Sequence, residues 1–354
     1  MASAKMGWRV RNTGGTIPGD KMGVPDPLPD QGSLPALVGE EDTAPGIGAS
    51  QCTEGRQQDT PIAMLVPGSQ IAVVAPGHPF FPERLEAGLA VLRSWGLEPV
   101  MMPNLTARYR YTAGTRRQRR DDLLQALTDP AYQGVWYARG GSGTVHLMDA
   151  LPVDRLDTRP IFGFSDATTL LSTLWNRRAG MPVHAPVLHT LGSSSSADTV
   201  DAMRRMVFEG PNERFWPGVA IAGAELVAEG PVVGGNLCVL ASLCGTPHQL
   251  DASGCILLLE EVGEVAYKVD RLVTQLRAAG AFKGVLGVAL GEFTGTRIPD
   301  DSGWSIDDVV VECLEGLDIP IVTGLPVGHG ARNLPFVIGE PGQLSAHGLL
   351  LSGA

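Results

Sequence analysis

Charge is scarce in this chain, and basic charge scarcer still. Of 354 residues 18% are charged, and 38 Asp and Glu against 27 Lys and Arg leave a net charge of −11. That balance argues against nucleic acid as a partner, because phosphate backbones are bound by clustered Lys and Arg. The one basic run, Arg116-Arg117-Gln118-Arg119-Arg120, leads into Asp121-Asp122 and reads as a solvated helix start rather than a nucleic-acid patch. Cysteine is sparse too. Cys52, Cys238, Cys244, Cys255 and Cys313 are odd in number and lack C-x-x-C spacing, which excludes a disulfide framework and a cysteine zinc site and fits a reducing cytoplasm. No H-E-x-x-H or comparable histidine spacing occurs, so neither a metal nor another cofactor is expected. No apolar run approaches the ~20 residues of a membrane helix, so no membrane partner is expected. With 44% hydrophobic residues, what remains is a soluble globular protein long enough for two domains.

Residues 1–62 are rich in Gly, Pro, Ser and Asp, as in Pro25-Asp-Pro-Leu-Pro29, and hold no periodicity; they read as a disordered extension. No apolar core of a secretory signal follows the early basic residues. From Ile71 strands and helices alternate. Ile71-Ala-Val-Val-Ala75 predicts a buried strand, Leu85, Leu89 and Leu92 mark a helix capped by Gly96, and Val100-Met101-Met102 a second strand. Thr115 is placed to cap a helix running to about Thr128, ahead of Pro130, and Gly134 to Ala138 and Ile161-Phe162 supply two more strands. Such alternation gives a parallel, doubly wound sheet over residues 63–190, with sites at the carboxyl ends of its strands. Residues 191–225 read as a linker, and 226–354 as a second domain with strands at Ile256 to Leu259 and Val285 to Leu290 and a closing hairpin of Phe336 to Gly339 with Leu344 to Leu351.

Four segments carry candidate chemistry. In Gly163-Phe-Ser-Asp-Ala167 a serine follows an apolar strand and precedes a helix, with very small residues two before and two after it. Crowding at a nucleophile elbow demands that spacing; the plain alternative is a helix N-cap. Arg139-Gly-Gly-Ser-Gly143 lacks the Walker Lys and the G-x-G-x-x-G spacing. It is a tight turn, or it brings the Gly141 N–H to a substrate as half of an oxyanion hole, with the Asp166 N–H as the other half. The strand ending in Glu260-Glu261 offers two carboxylates on opposite faces, and His329 lies in a glycine-flanked loop. Of the other histidines, His184 reads as part of a structural turn in Pro182-Val-His-Ala-Pro186.

Taken in order, Ala138-Arg-Gly-Gly141, Gly163-Phe-Ser-Asp-Ala-Thr168, Gly234-Gly-Asn-Leu237, Leu259-Glu-Glu-Val-Gly-Glu264 with Tyr267 and Asp270-Arg271, and Gly328-His329 resemble the LD-carboxypeptidase family of serine peptidases, from about Val66 to Leu351. The resemblance implies a flavodoxin-like N-terminal domain with a smaller β-rich C-terminal domain, a homodimer, and cleavage before the terminal D-alanine of murein tetrapeptides in cytoplasmic cell-wall recycling. Related members hydrolyse the peptidyl-nucleotide antibiotic microcin C, which is the alternative function. A third reading is a protein that binds a small peptide without cleaving it. Residue by residue, the resemblance makes Ser165 the nucleophile, His329 the general base, Glu260 rather than Glu261 the orienting carboxylate, and Gly141 and Asp166 the oxyanion-hole amides. The chain departs from the family at Ser142, where a Tyr is usual. A carboxypeptidase must also bind a terminal carboxylate, for which Arg139 and Arg332 are the candidate partners.

Overall fold

The computed structural model describes residues 65–152, 156–299 and 303–353. The predicted extension, residues 1–62, lies outside them.

The first half builds β1 (Gln70–Val74), α1 (Pro82–Ser94), β2 (Glu98–Met101), α2 (Arg116–Thr128), β3 (Gly134–Tyr137), β4 (Pro160–Gly163), α3 (Thr168–Asn176) and β5 (Met181–His184). These strands pair in parallel in the order β2-β1-β3-β4-β5, the flavodoxin-like order. Buried strands β3, β4 and β5 read as continuous apolar runs because helices cover both faces of the sheet. Thr115 caps α2 through a capping box with Gln118, as its position predicts.

The chain continues through α4 (Leu188–Leu191), α5 (Ala197–Glu209), β6 (Glu213–Pro217), β7 (Val219–Ala222), β8 (Ala228–Asn236), α6 (Leu237–Ser242), β9 (Ile256–Val262), α7 (Ala266–Ala278), β10 (Gly287–Thr294), α8 (Ile306–Cys313), β11 (Ile321–Thr323), β12 (Phe336–Val337), β13 (Glu340–Ser345) and β14 (Gly348–Ser352). All but β12 of these later strands form an eight-stranded sheet, ordered β6-β14-β13-β8-β9-β10-β11-β7, in which β8 to β11 run parallel. Two details differ from expectation. Residues 191–225, read as a linker, contain α5 and two strands of this sheet. Phe336–Val337 is not part of the closing hairpin, which is β13–β14; it pairs antiparallel with β5 at the edge of the first sheet.

Helix α3 sits between the sheets, packed on β5 and β8, and every residue from Thr168 to Leu174 is buried. Thr168 Oγ1 accepts a hydrogen bond from Asn236 N at 3.1 Å, which keys the end of β8 to the start of α3. The carboxyl ends of β1, β3, β4, β8 and β9 thereby converge on the start of this helix.

Candidate active site

Ser165 follows β4 with φ 61°, in the left-handed region that side chains normally avoid. Crowding explains the residues around it. A Cβ on Gly163 would lie 2.7 Å from the Ala167 Cβ and 3.2 Å from the Tyr137 ring, so the turn closes only with both positions minimal. A Cβ on Gly140 would lie 2.8 Å from Ser165 Cβ and 2.9 Å from its Oγ, which sets the loop after β3 directly against the serine. No side chain caps the 3-10 turn Ser165–Ala167 or α3, so capping does not account for the serine. Gly141 adopts φ 105°, and a Cβ there would overlap the His78 ring. Only glycine brings this backbone so close.

The two carboxylates of β9 part as the pleat requires. Glu260, fully buried, accepts from His329 Nδ1 at 2.7 Å through Oε2. Glu261 turns the other way. Its Oε1 accepts from Asn236 Nδ2 at 3.2 Å and its Oε2 from Cys238 N at 2.7 Å, so it serves the start of α6, and burial raises its pKa. For His329, burial opposes protonation, but the hydrogen bond to Glu260 and the charges of Glu260 and Glu261 outweigh it and hold the imidazole above its ordinary pKa. The ring lies against Phe164, the residue before the serine, with centroids 4.7 Å apart.

Three placements escaped sequence reading. Asn333 Oδ1 accepts from Gly328 N at 3.2 Å and meets His184 Nε2 at 3.0 Å. Because that oxygen is already an acceptor, His184 carries its proton on Nε2 and braces the His329 loop from beneath. The Asp166 side chain accepts from Gly143 N (3.3 Å), Thr144 N (3.0 Å) and Thr144 Oγ1 (2.7 Å), anchoring the glycine loop. Arg119 is buried, whereas its run predicts a solvated helix start.

A cavity of about 310 Å³ opens beside the serine, lined in part by Gly141, Ser142, Ser165, Asn236, Glu261 and Glu264. Neither Arg139 nor Arg332 lines it. Arg139 donates to Pro79 O at 2.6 Å and lies over the Phe81 ring, while Arg332 pairs with Asp198 at 2.7 Å on the surface. Among the described residues no group of three His, Cys, Asp or Glu is placed to hold a metal ion, and no helix is long and apolar enough to cross a membrane.

A flavodoxin-like sheet with a strained serine at its strand ends points to a serine-type hydrolase. Comparison with known proteins narrows the class. Residues 71–185 match the LD-carboxypeptidase N-terminal domain and residues 229–344 the LD-carboxypeptidase C-terminal domain. A murein tetrapeptide carboxypeptidase of Pseudomonas aeruginosa is 33% identical over 292 residues, covering 79% of this chain and 94% of that protein. The crystal structure of muramoyltetrapeptide carboxypeptidase from Oxalobacter formigenes superposes with a TM-score of 0.72 at 28% identity, over 80% of this chain and 99% of that one. The microcin C7 self immunity protein MccF shares the fold, with a TM-score of 0.72 at 20% identity over 82% of this chain and 97% of that one. The chain belongs to the LD-carboxypeptidase family and is a serine-type hydrolase of that kind.

Proposed function

We propose that the protein hydrolyses the L,D peptide bond that releases terminal D-alanine from murein tetrapeptide, using Ser165, His329 and Glu260. The supporting observation is the 2.7 Å bond from His329 Nδ1 to the buried Glu260, with the imidazole packed against Phe164, the residue before a serine held in a left-handed turn. Glu260 fixes the imidazole with its proton on Nδ1, which leaves Nε2 free to take the Ser165 proton as Oγ attacks the carbonyl. The tetrahedral oxyanion is met by the N–H groups of Gly141 and Asp166. His329 then returns the proton to the amine of D-alanine as the peptide bond breaks, and water attacks the acyl-enzyme with His329 again as base. With Arg139 and Arg332 held elsewhere, terminal-carboxylate recognition by either requires a change in its present contacts. Action in the cytoplasm, as a homodimer, belongs to the same reading.

Incubation with murein tetrapeptide, followed by mass spectrometry, tests it. Release of D-alanine by the wild type and not by Ser165→Ala is expected. No release by a folded wild type, with cleavage of a peptidyl-nucleotide instead, would transfer the assignment to the microcin C-type amidase. The 33% identity to the murein enzyme, against 20% to MccF, favours the first substrate.

A further inference from the structure

Arg119 is the one residue of its basic run that is buried, 4% exposed, and its guanidinium is spent on backbone carbonyls. Nε donates to Gly114 O at 3.3 Å; Nη1 donates to Gly143 O at 2.9 Å and to Pro76 O. Pro76 lies just after β1 and Gly143 ends the loop after β3, so one side chain from α2 ties together the two loops at the strand ends. From the other side the Asp166 carboxylate takes the N–H groups of Gly143 and Thr144. Gly143 is thus gripped by its N–H and its carbonyl at once. The glycines are what admit these side chains. A Cβ on Gly143 would lie 2.8 Å from Arg119 Nη1, and a Cβ on Gly77 would lie 2.6 Å from Asp166 Oδ2. Burial disfavours the Arg119 charge, and the Asp166 charge opposes that effect.

We propose that Arg119 is a positioning residue for the oxyanion hole, holding the Gly-Gly-Ser-Gly loop with Asp166 so that the Gly141 N–H is fixed against Ser165 before substrate arrives. This rests on Ser165 as nucleophile and Gly141 as oxyanion donor. A loop of this composition has more backbone freedom to lose than any other, and a donor stabilises a developing charge cheaply only when it is already in place. Gly143 is two residues from Gly141, so the Arg119 clamp acts at the C-terminal end of the loop, close to the donor. The guanidinium holds three carbonyls from two nitrogens fixed in one plane, Gly114 O through Nε and Pro76 O and Gly143 O through Nη1, which the single nitrogen of a lysine ammonium cannot reproduce.

The test needs no knowledge of the substrate. Wild type, Ser165→Ala, Arg119→Met and Arg119→Lys are treated with a fluorophosphonate, whose tetrahedral phosphoryl oxygen also uses the oxyanion hole, and adduct formation is timed by intact mass from pH 5 to 9. Near-UV circular dichroism verifies the fold. We expect adduct on Ser165 of the wild type and labelling of both Arg119 variants slowed by about 10- to 100-fold, with the inflection of the pH profile unmoved because the His329–Glu260 pair is untouched. Should Arg119→Met not fold, Arg119→Lys, which keeps the buried charge, decides by the same criteria. A folded Arg119 variant labelled at the wild-type rate would overturn the proposal. So would a shift of the inflection together with the rate, which marks general loosening of the site. A wild type left unlabelled at Ser165 would overturn the nucleophile assignment itself, and the positioning role with it.

Discussion

In the proposed mechanism His329 and Glu260 set the pH behaviour of the reaction. The imidazole is held above the ordinary histidine value of about 6.5 against the cost of its burial, and the proposed general-base role requires the unprotonated ring. Turnover should therefore climb with pH through an inflection on the alkaline side of that value. Stability should run the opposite way. The extra proton affinity exists only in the folded chain, so its stabilisation is complete below the unfolded histidine pKa and is lost as pH rises through the higher folded one. Glu260→Gln removes the largest influence that raises the imidazole. We expect the kcat/KM inflection to move to lower pH and the plateau to fall by roughly 10³- to 10⁴-fold, since a neutral amide neither fixes the tautomer nor steadies the imidazolium. A pH–rate profile checks both at once, and an inflection left in place would show that another group titrates there.

Elements explain why some of this was legible in the sequence and some was not. The elbow was legible because the constraint is local: Gly163 and Ala167 touch each other across a single turn, so their sizes are legible four positions apart. The two faces of β9 were legible for a similar reason, since the pleat sends Glu260 and Glu261 apart whatever lies beyond. What Arg119 or Asn333 does depends on groups tens of residues away, Pro76 and Gly143 for the one and His184 for the other, and no spacing encodes that. For the loop carrying His329 this has a measurable consequence. Asn333→Ala removes the acceptor for the Gly328 N–H and strips His184, fully buried, of its hydrogen-bond partner. Leaving such groups unpaired costs about 1–3 kcal/mol each, so thermal unfolding should occur at lower temperature. The catalytic rate should fall with little change in KM, because His329 is displaced while the cavity lining keeps its residues. An unchanged kcat in a destabilised variant would confine Asn333 to a structural part.

At the scale of the whole molecule, the two sheets are not separable halves, although alternation of strands and helices suggested domains at 63–190 and 226–354. One apolar cluster contains Leu170 and Leu174 from α3 together with Val232 and Val233 from β8 and Leu257 and Leu259 from β9. The chain also returns to the first sheet late. β12 pairs with β5, Ile338 N donates to Pro182 O at 2.9 Å, and fully buried Phe336 stacks on His184 with centroids 5.2 Å apart. Such an edge strand, only two residues long, leaves no periodic signal, which is why the sequence placed Phe336 in a terminal hairpin. A fragment ending at residue 225 would leave the β5 edge unpaired and expose the face of α3 that β8 covers, with no other apolar surface to bury it. Tryptophan fluorescence and far-UV circular dichroism of the intact chain should therefore report one coincident thermal transition, and the fragment comprising residues 65–225 should show none, regaining a cooperative transition only when residues 226–353 are supplied in trans. A cooperative transition in the isolated fragment would mean that the first sheet closes without its partner. The site would then have been assembled by docking two finished domains, whereas the shared core implies that Ser165 on one sheet and the Glu260–His329 pair on the other come into register in a single folding event.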